Sequence, residues 1–400
     1  MKDSAPLWTR NFILASAINF QLILVFYLLI VVIVGYAVAE LGASTAQAGL
    51  ISGLYIVGTL FGRLLIGKFL SRFGHRLTLL TGLSGFFLFS GLYFIEYGIG
   101  FLLFVRAIHG FTMGVASTVL GTLIAQILPV SRRGEGIGYY SMSSTLGTAI
   151  GPFLGIWLSL NFDYNVIFIF SSIIAFCCLF TALGIKMPNL VSRQETATAP
   201  PPKSSWITQF IEPRAVPIAI IVLLTSVCYS GVLSFINFYA KSLDLAKAAS
   251  IFFLMYALAI LFSRPFTGPL MDRRGENIIM YPAILILAFG LFLLSQVQTA
   301  SMLLICAVLL GLGFGNIQSV CQTIAVKSTS LDRMGLATST FFIFLDAGLG
   351  FGPYILGKLL EYINYSQLYF ISSLLALICV VLYYLLHDRK VRAPFKTVNL

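Results

Sequence analysis

One stretch decides the fold: Arg264-Pro265-Phe266-Thr267-Gly268-Pro269-Leu270-Met271-Asp272-Arg273-Arg274-Gly275. It ends a long apolar run in a group of charges, which are tolerated only outside the hydrocarbon layer of a membrane. The same pattern occurs 201 residues earlier, as Arg63-Leu64-Leu65-Ile66-Gly67-Lys68-Phe69-Leu70-Ser71-Arg72-Phe73-Gly74. Each stretch predicts the end of a membrane-spanning helix, followed by a tight turn.

The offset of 201 residues is kept far beyond these two turns, with no insertion. It relates Tyr55 to Tyr256 and also relates glycines and a proline in later parts of the chain. Those pairs are Gly110 with Gly311, Gly114 with Gly315, Gly147 with Gly348, Gly151 with Gly352 and Pro152 with Pro353. A single register that joins a charged turn to a distant Gly-Pro kink indicates two tandem copies of one unit.

Composition places both copies in a membrane. Of the 400 residues, 58% are hydrophobic and 10% are charged, and the apolar runs have the length of a membrane-spanning helix. Hydropathy predicts an all-α polytopic membrane protein with twelve transmembrane helices in two six-helix bundles. We expect an N-terminal bundle at residues 1–187, a cytoplasmic linker rich in Ala, Thr and Pro at 188–214, and a C-terminal bundle with a short cytoplasmic tail at 215–400.

The basic residues indicate the orientation of the chain. An even number of spans puts both termini on one side of the membrane. If that side is the cytoplasm, the loops on the other side contain only three basic residues, Lys241, Lys247 and Lys358. The positive-inside rule therefore predicts cytoplasmic termini in a cell membrane. It also accounts for the net charge of +11 without a nucleic-acid partner.

Several classes of function lack their motifs in this sequence. The six cysteines all fall inside apolar runs, so no disulfide framework is expected. There is no phosphate-binding loop for ATP and no zinc motif, and His75, His109 and His387 are far apart in the chain. We therefore expect no enzyme, no cofactor and no metal. From another class, a non-transporting membrane sensor remains the alternative.

Polar side chains inside the predicted spans are candidates for function. Asn19 and Tyr27 share one face of span 1, which fits either hydrogen bonding between helices or contact with a ligand. Span 4 carries Arg106, His109 and Met113 along one stripe. An arginine at that depth must face protein or a wet cavity. It either neutralises buried carbonyls or a carboxylate, or takes part in transport.

The second half of the chain offers further candidates. Tyr229 and Asn237 lie in span 7, Asn316 and Gln318 lie in span 10, and Asp346 in span 11 is the only carboxylate deep inside a span. Such a carboxylate is a candidate for proton binding. The alternative is a permanent pairing with Arg106 or with a backbone group.

Glycines form a smooth stripe in two of the predicted spans. A stripe of this kind allows another helix to approach closely, and a proline within it softens the helix. The residues are Gly138, Gly147, Gly151, Pro152 and Gly155 in span 5, and Gly348, Gly352 and Pro353 in span 11.

These motifs together resemble those of the major facilitator superfamily, over nearly the whole chain. The two charged turns resemble the signature that follows spans 2 and 8 of that superfamily. Arg106 and Gly110 resemble its span-4 Arg-xxx-Gly motif, with His109 where a Gln is commoner. The glycines of span 5 resemble the motif of its drug:proton antiporter branch with twelve spans, although Ile156 replaces the final glycine.

The resemblance implies two bundles that are related by pseudo-twofold symmetry and rock about a midplane site lined by spans 1, 4, 7 and 10. It also implies that the charged turns form a conformational gate. The gate residues are Arg63, Gly67, Ser71, Arg72 and Gly74, and Arg264, Gly268, Asp272, Arg273 and Gly275 in the second copy. Ser71 stands where the family has an acid, and span 1 lacks the acid of many drug antiporters.

We therefore expect a monomeric secondary active transporter that exports a drug or toxic metabolite by proton-coupled antiport with alternating access. Alternatives are an exporter of an anionic metabolite or metallophore, and a proton symporter for uptake. Proton coupling is assigned to Asp346, with His109 as second candidate because imidazole changes its charge near neutral pH. Substrate binding is assigned to Asn19, Tyr27, Arg106, His109, Met113, Tyr229, Asn237, Asn316 and Gln318.

Overall fold

The computed structural model describes residues 6–43, 45–186 and 209–389, and within these ranges it contains no strand. Its helices are α1 (Arg10–Ala39), α2 (Thr45–Phe73), α3 (His75–Gly91), α4 (Ile99–Ile127), α5 (Arg133–Asn161), α6 (Tyr164–Leu183), α7 (Val216–Ser242), α8 (Ala246–Arg274), α9 (Asn277–Ser295), α10 (Ala300–Leu310), α11 (Asn316–Lys327), α12 (Met334–Leu359) and α13 (Tyr365–Tyr383). A π-helical turn, Gly311–Gly315, joins α10 to α11, so these two helices form one continuous span.

The helices have the lengths and compositions of membrane spans. Within the described ranges, ten helical segments are long and apolar enough to cross a membrane. In α2 the apolar stretch is the shorter Gly53–Ile66, and α5 contains many Gly, Ser and Thr residues. The predicted all-α polytopic fold is confirmed.

The helices form two compact units. The first contains α1 to α6 together with residues 329–343, which include the start of α12. The second contains α7 to α11, the rest of α12 from Phe344 onward, and α13. Most of the predicted linker, up to residue 208, and nearly all of the predicted tail, from residue 390 onward, lie outside the described residues. The domain boundaries drawn from the sequence thus stay a prediction.

The sequence repeat corresponds to the same helix crossing in each unit. In the first unit, Gly110 of α4 lies so close to α2 that an added Cβ would overlap the backbone carbonyl of Tyr55. In the second unit, Gly311 meets the backbone carbonyl of Tyr256 in the same way. These two contacts are related by the offset of 201 residues. Equivalent glycines therefore allow equivalent pairs of helices to touch.

The two charged turns also share their backbone conformation. Gly74 follows α2 with a φ of 75°, and Gly275 follows α8 with a φ of 85°. Side chains of L-residues rarely adopt this left-handed region, which glycine enters without a steric penalty. Each turn thus depends on its glycine to start the next helix.

The glycine stripes of α5 and α12 pack on the first helix of their own unit. Gly147, Gly151 and Gly155 lie against α1, while Gly348 and Gly352 lie against α7. A Cβ added at any of these five positions would come closer than 3.0 Å to an atom of the partner helix. The other members of the stripes are Gly138, which is buried in α5, and Pro152 and Pro353, which lie inside α5 and α12.

We predict that Gly110→Val and Gly311→Val each lower the free energy of unfolding, because the new side chain forces α4 away from α2 or the π-helical turn away from α8. A loss of about 1–3 kcal/mol is expected for overpacking of this kind. The measurement is the midpoint of thermal unfolding in detergent. Gly100→Ala is the matched control, since Gly100 lies in α4 with open space around it. An unchanged midpoint in both valine variants would contradict the crossing.

Candidate functional site

Arg106 and His109 lie in the interior of the first unit, and both side chains are fully buried. The Arg106 guanidinium lies over the Tyr55 ring, 4.4 Å from its centroid, and its Nε donates to the Ile51 carbonyl at 3.2 Å. Its Nη1 donates to the Tyr93 hydroxyl at 3.3 Å, and this hydroxyl lies 3.0 Å from His109 Nδ1. Aromatic rings and oxygen atoms thus stabilise the buried cation.

Sequence analysis offered two structural partners for Arg106, buried carbonyls or a carboxylate, and the structure shows a carbonyl. The guanidinium binds a backbone carbonyl, and no carboxylate in the described ranges forms an ion pair with it. Nη2 of Arg106 and Nε2 of His109 are buried without a hydrogen-bond partner among the described residues. Met113 is buried on the same helix. Substrate binding by these three residues stays a prediction.

Asn19 links α1 to α5. Its Nδ2 lies 2.8 Å from Ser143 Oγ and 2.7 Å from Ser144 Oγ, so the amide donates across the helix interface. Of the two roles that the sequence left open for Asn19, hydrogen bonding between helices is present. Tyr27 is half-buried two turns further along α1, where its Cβ faces Gly151.

Asn316 is the centre of a polar network in the second unit. Its Nδ2 donates to Ser263 Oγ at 3.2 Å and to the Leu312 carbonyl at 2.8 Å. Its Oδ1 accepts a hydrogen bond of 2.9 Å from the Thr267 hydroxyl. The network joins α8 to the beginning of α11, directly after the π-helical turn. Sequence analysis identified Asn316 but missed its two hydroxyl partners on α8.

Arg264 lies beside this network and is buried. Its Nη1 donates to the Ser319 hydroxyl, and its Nη2 donates to the Gly315 carbonyl at 2.7 Å. The sequence assigned Arg264 to a conformational gate, but its contacts are with the polar residues around the π-helical turn. It therefore belongs to the same cluster as Asn316.

Aromatic rings are stacked next to the cluster. Tyr229 of α7 stacks on Phe314, with ring centroids 4.3 Å apart, and on Tyr256, with centroids 5.1 Å apart. Gln318 is half-buried in α11. The side chain of Asn237 lies outside the described part of the structure, although its backbone belongs to α7.

The other predicted gate residues fall into several environments. Arg63 is buried, with its guanidinium 4.2 Å from the centroid of the Phe342 ring, and its carbonyl accepts a 2.6 Å hydrogen bond from Ser339. Asp272 pairs with Lys327 at 3.4 Å. Arg72 and Arg273 are exposed and Gly268 is buried, while the Gly67 and Ser71 positions are described by their backbone alone.

Asp346 is half-buried in the part of α12 that belongs to the second unit. The neighbouring glycine face of α12 is occupied by α7, through Gly348 and Gly352. At about 100° per residue, these two glycines lie roughly 160° and 120° around the helix from Asp346. The acid therefore points away from the packing face.

A second polar cluster, which sequence analysis missed, joins the start of α9 to the π-helical segment Tyr384–Asp388 that follows α13. The Asp388 carboxylate accepts hydrogen bonds from Asn277 Nδ2 at 2.7 Å and from the Tyr281 hydroxyl at 2.6 Å. Nearby, Glu276 Oε1 lies 3.2 Å from His387 Nε2. The hydrogen bond with His387 lowers the pKa of the Glu276 carboxyl, although burial alone would raise it. In the sequence, Glu276, His387 and Asp388 look like ordinary titratable residues at the ends of spans.

Comparison with known proteins places this fold and these motifs in one family. The family model described as "Major Facilitator Superfamily" matches residues 15–300 and 247–399. The chain belongs to the Major Facilitator Superfamily. It is therefore a multi-pass membrane transporter of small molecules rather than an enzyme, which confirms the family and the class that were expected from the sequence.

Individual relatives are distant but cover most of the chain. An uncharacterised MFS-type transporter of Methanocaldococcus jannaschii is 24% identical over 87% of this chain and 91% of its own length. The staphylopine export protein of Staphylococcus aureus is 23% identical over 86% and 88%, and the multidrug resistance protein MdtG of Escherichia fergusonii is 25% identical over 96% and 95%. The crystal structure of the human organic anion transporter MFSD10 has the same fold, with a TM-score of 0.73 at 16% identity, covering 93% of this chain and 98% of that one.

We predict that Tyr93→Phe destabilises the first unit, because its hydroxyl is the shared partner of Arg106 and His109. Leaving buried polar groups without a partner costs about 1–3 kcal/mol. Thermal unfolding of the purified protein measures the effect. Tyr97→Phe, at a tyrosine that is 81% exposed, is the control and should unfold as the native chain does. Equal midpoints for the two variants would show that the hydroxyl contributes nothing.

Proposed function

We propose that this transporter exports a small organic compound, a drug or toxic metabolite, by proton-coupled antiport with alternating access. One observation carries the proposal: Gly147, Gly151 and Gly155 of α5 pack on α1, with Pro152 between them, in the pattern that resembles the drug:proton antiporter branch. The names of two relatives, a multidrug resistance protein and a staphylopine export protein, support export as the direction.

The proposed proton-binding group is Asp346. Its position away from the glycine face leaves the carboxylate able to change charge without disturbing the packing of α12 on α7. One proton that moves down a potential of about 100 mV supplies about 2.3 kcal/mol, which sustains a substrate gradient on the order of 50-fold. A single carboxylate is thus sufficient. His109 remains the second candidate, but it lies beside Arg106, where a further positive charge is repelled.

Each unit offers polar residues for substrate contact. In the first unit we propose Asn19, Tyr27, Arg106, His109 and Met113. In the second unit we propose Tyr229, Asn237, Asn316 and Gln318. A second candidate function is export of an anionic metabolite or metallophore, which is favoured by the buried Arg264 cation next to Asn316.

We predict that Asp346→Asn abolishes proton-driven transport while binding of substrate is retained, because an amide cannot carry the coupled proton. The measurement is uptake of the cationic dye ethidium into proteoliposomes under an imposed pH gradient. The matched control is Glu361→Gln, which removes an exposed carboxylate just after α12, where it pairs with Lys358 at 3.0 Å.

The outcomes of this assay separate the candidate functions. Proton-driven uptake by Asp346→Asn at the native rate would remove Asp346 from the mechanism. Movement of dye and protons in the same direction would favour a symporter. Binding by the native chain without movement of any solute would favour a membrane sensor.

We also propose that both termini lie in the cytoplasm and that the protein is a monomer in the cell membrane. A membrane-impermeant maleimide added to intact cells should then label Lys241→Cys and leave Arg274→Cys unlabelled, since both side chains are exposed at the C-terminal ends of α7 and α8, two consecutive spans that cross the membrane in opposite directions. Reversed labelling would invert the orientation. Light scattering of the purified protein measures its oligomeric state.

A further inference from the structure

Arg264 carries a charge that the described residues do not compensate. Its side chain is 3% exposed within the candidate membrane span Lys247–Arg274, and no carboxylate in the described ranges forms an ion pair with it. An arginine at the centre of a membrane helix costs about 2.5–3.5 kcal/mol on insertion scales. A buried charge without a counter-charge is unfavourable, so a bound anion would offset this cost.

The Arg264 guanidinium also has a hydrogen-bond donor that no described residue accepts from. It has five N–H donors in a planar fork. Nη1 donates to Ser319 and Nη2 donates to the Gly315 carbonyl, but Nε is buried and has no partner among the residues that the structure describes. Ser319 and Gly315 thus fix the plane of the fork. A fixed fork with free donors suits a carboxylate, which guanidinium binds through two parallel hydrogen bonds.

A stack of buried aromatic rings begins one residue away from this anchor. Phe314 precedes Gly315, and its ring stacks on Tyr229 at an interplanar angle of 14°. Tyr229 in turn stacks on Tyr256 of α8, which lies two turns before Arg264 in the same helix. The three rings are each at most 6% exposed and form an apolar wall, which favours an acid with an apolar aromatic body over a small inorganic anion. The cation and the rings therefore offer complementary contacts to one kind of molecule.

We propose that the second unit contains a binding site for aromatic organic acids, in which Arg264 binds the carboxylate and the buried stack of Tyr229, Tyr256 and Phe314 forms the apolar wall beside it. Arg264 is then a specificity-determining residue rather than only a part of a gate. The inference rests on the transport function proposed above, because it names the substrate class of the cluster around Asn316.

A purely structural role explains only part of these contacts. The π-helical turn Gly311–Gly315 breaks the regular pattern of backbone hydrogen bonds, and Nη2 of Arg264 satisfies one of its carbonyls. A neutral donor would suffice for that task. The equivalent arginine of the first unit, Arg63, has its guanidinium over the Phe342 ring. The charge and the buried Nε of Arg264 remain to be explained by an anion.

The test compares two probes that differ only in charge, 2-naphthoate and 2-naphthamide, by calorimetric titration of the full chain in detergent. The native protein is expected to bind naphthoate at least about 10-fold more tightly, which is the contribution of one charge-assisted hydrogen bond. In Arg264→Gln the ratio of the two affinities should fall to about 1, since the charge is lost. Arg274→Gln is the matched control: it removes an exposed charge from the same helix and should keep the native ratio.

Equal affinity of the native protein for the two probes would overturn the inference, and so would a preference for naphthoate that survives in Arg264→Gln. If that variant fails to fold, Ser319→Ala replaces it. Loss of the hydroxyl that orients Nη1 should reduce the preference several-fold, and an unchanged preference counts against the site. Naphthoate selectivity without proton-driven dye transport would overturn the proposed antiport and leave the anion site standing. Proton-driven dye transport without naphthoate selectivity would overturn the anion site and leave the proposed antiport standing.

Discussion

The structure depends on how closely two helices can approach inside a membrane. Hydrocarbon offers no hydrogen bonds, so each spanning segment must satisfy its own backbone as a helix. Neighbouring helices then gain stability from close contact rather than from exclusion of water. Gly110 and Gly311 permit this contact at the two equivalent crossings, where any side chain would overlap a carbonyl of α2 or α8. The glycine stripes of α5 and α12 do the same against α1 and α7.

Close packing creates a second constraint, because a buried charge must be stabilised by the groups packed around it. Arg106 is surrounded by the Tyr55 ring, the Ile51 carbonyl and the Tyr93 hydroxyl, which together replace a carboxylate. Arg264 donates to a hydroxyl and to one carbonyl. Each guanidinium keeps one nitrogen without a hydrogen-bond partner among the described residues, Nη2 of Arg106 and Nε of Arg264, and the second lies near a buried aromatic stack.

Much of the fold could be predicted because it depends on local patterns. The apolar runs, the left-handed turns at Gly74 and Gly275 and the glycine stripes all follow from residue type and spacing. Partners across long distances could not be predicted. Tyr93 reaches His109 from a short 3₁₀ turn after α3, and Asp388 meets Asn277, which lies 111 residues away. Such contacts depend on the rotation and depth of each helix, for which an apolar sequence carries little signal. The π-helical turn was also missed, because its glycines fit regular helix packing equally well.

The comparison of the two copies indicates where the function has diverged. Some of the positions that set the distance between helices are glycine in both units, as in the pairs Gly110 with Gly311, Gly147 with Gly348 and Gly151 with Gly352. Arg106 and His109, however, correspond to Ala307 and Leu310 in the second copy. A polar cluster in the first unit is thus replaced by apolar packing in the second, and the polar network of the second unit forms instead around Asn316, after a π-helical turn that α4 does not have. Because backbone contacts at glycine hold each crossing together, side chains beside it can change without loss of the fold. The two copies therefore share these packing glycines, whereas the polar residues beside them differ.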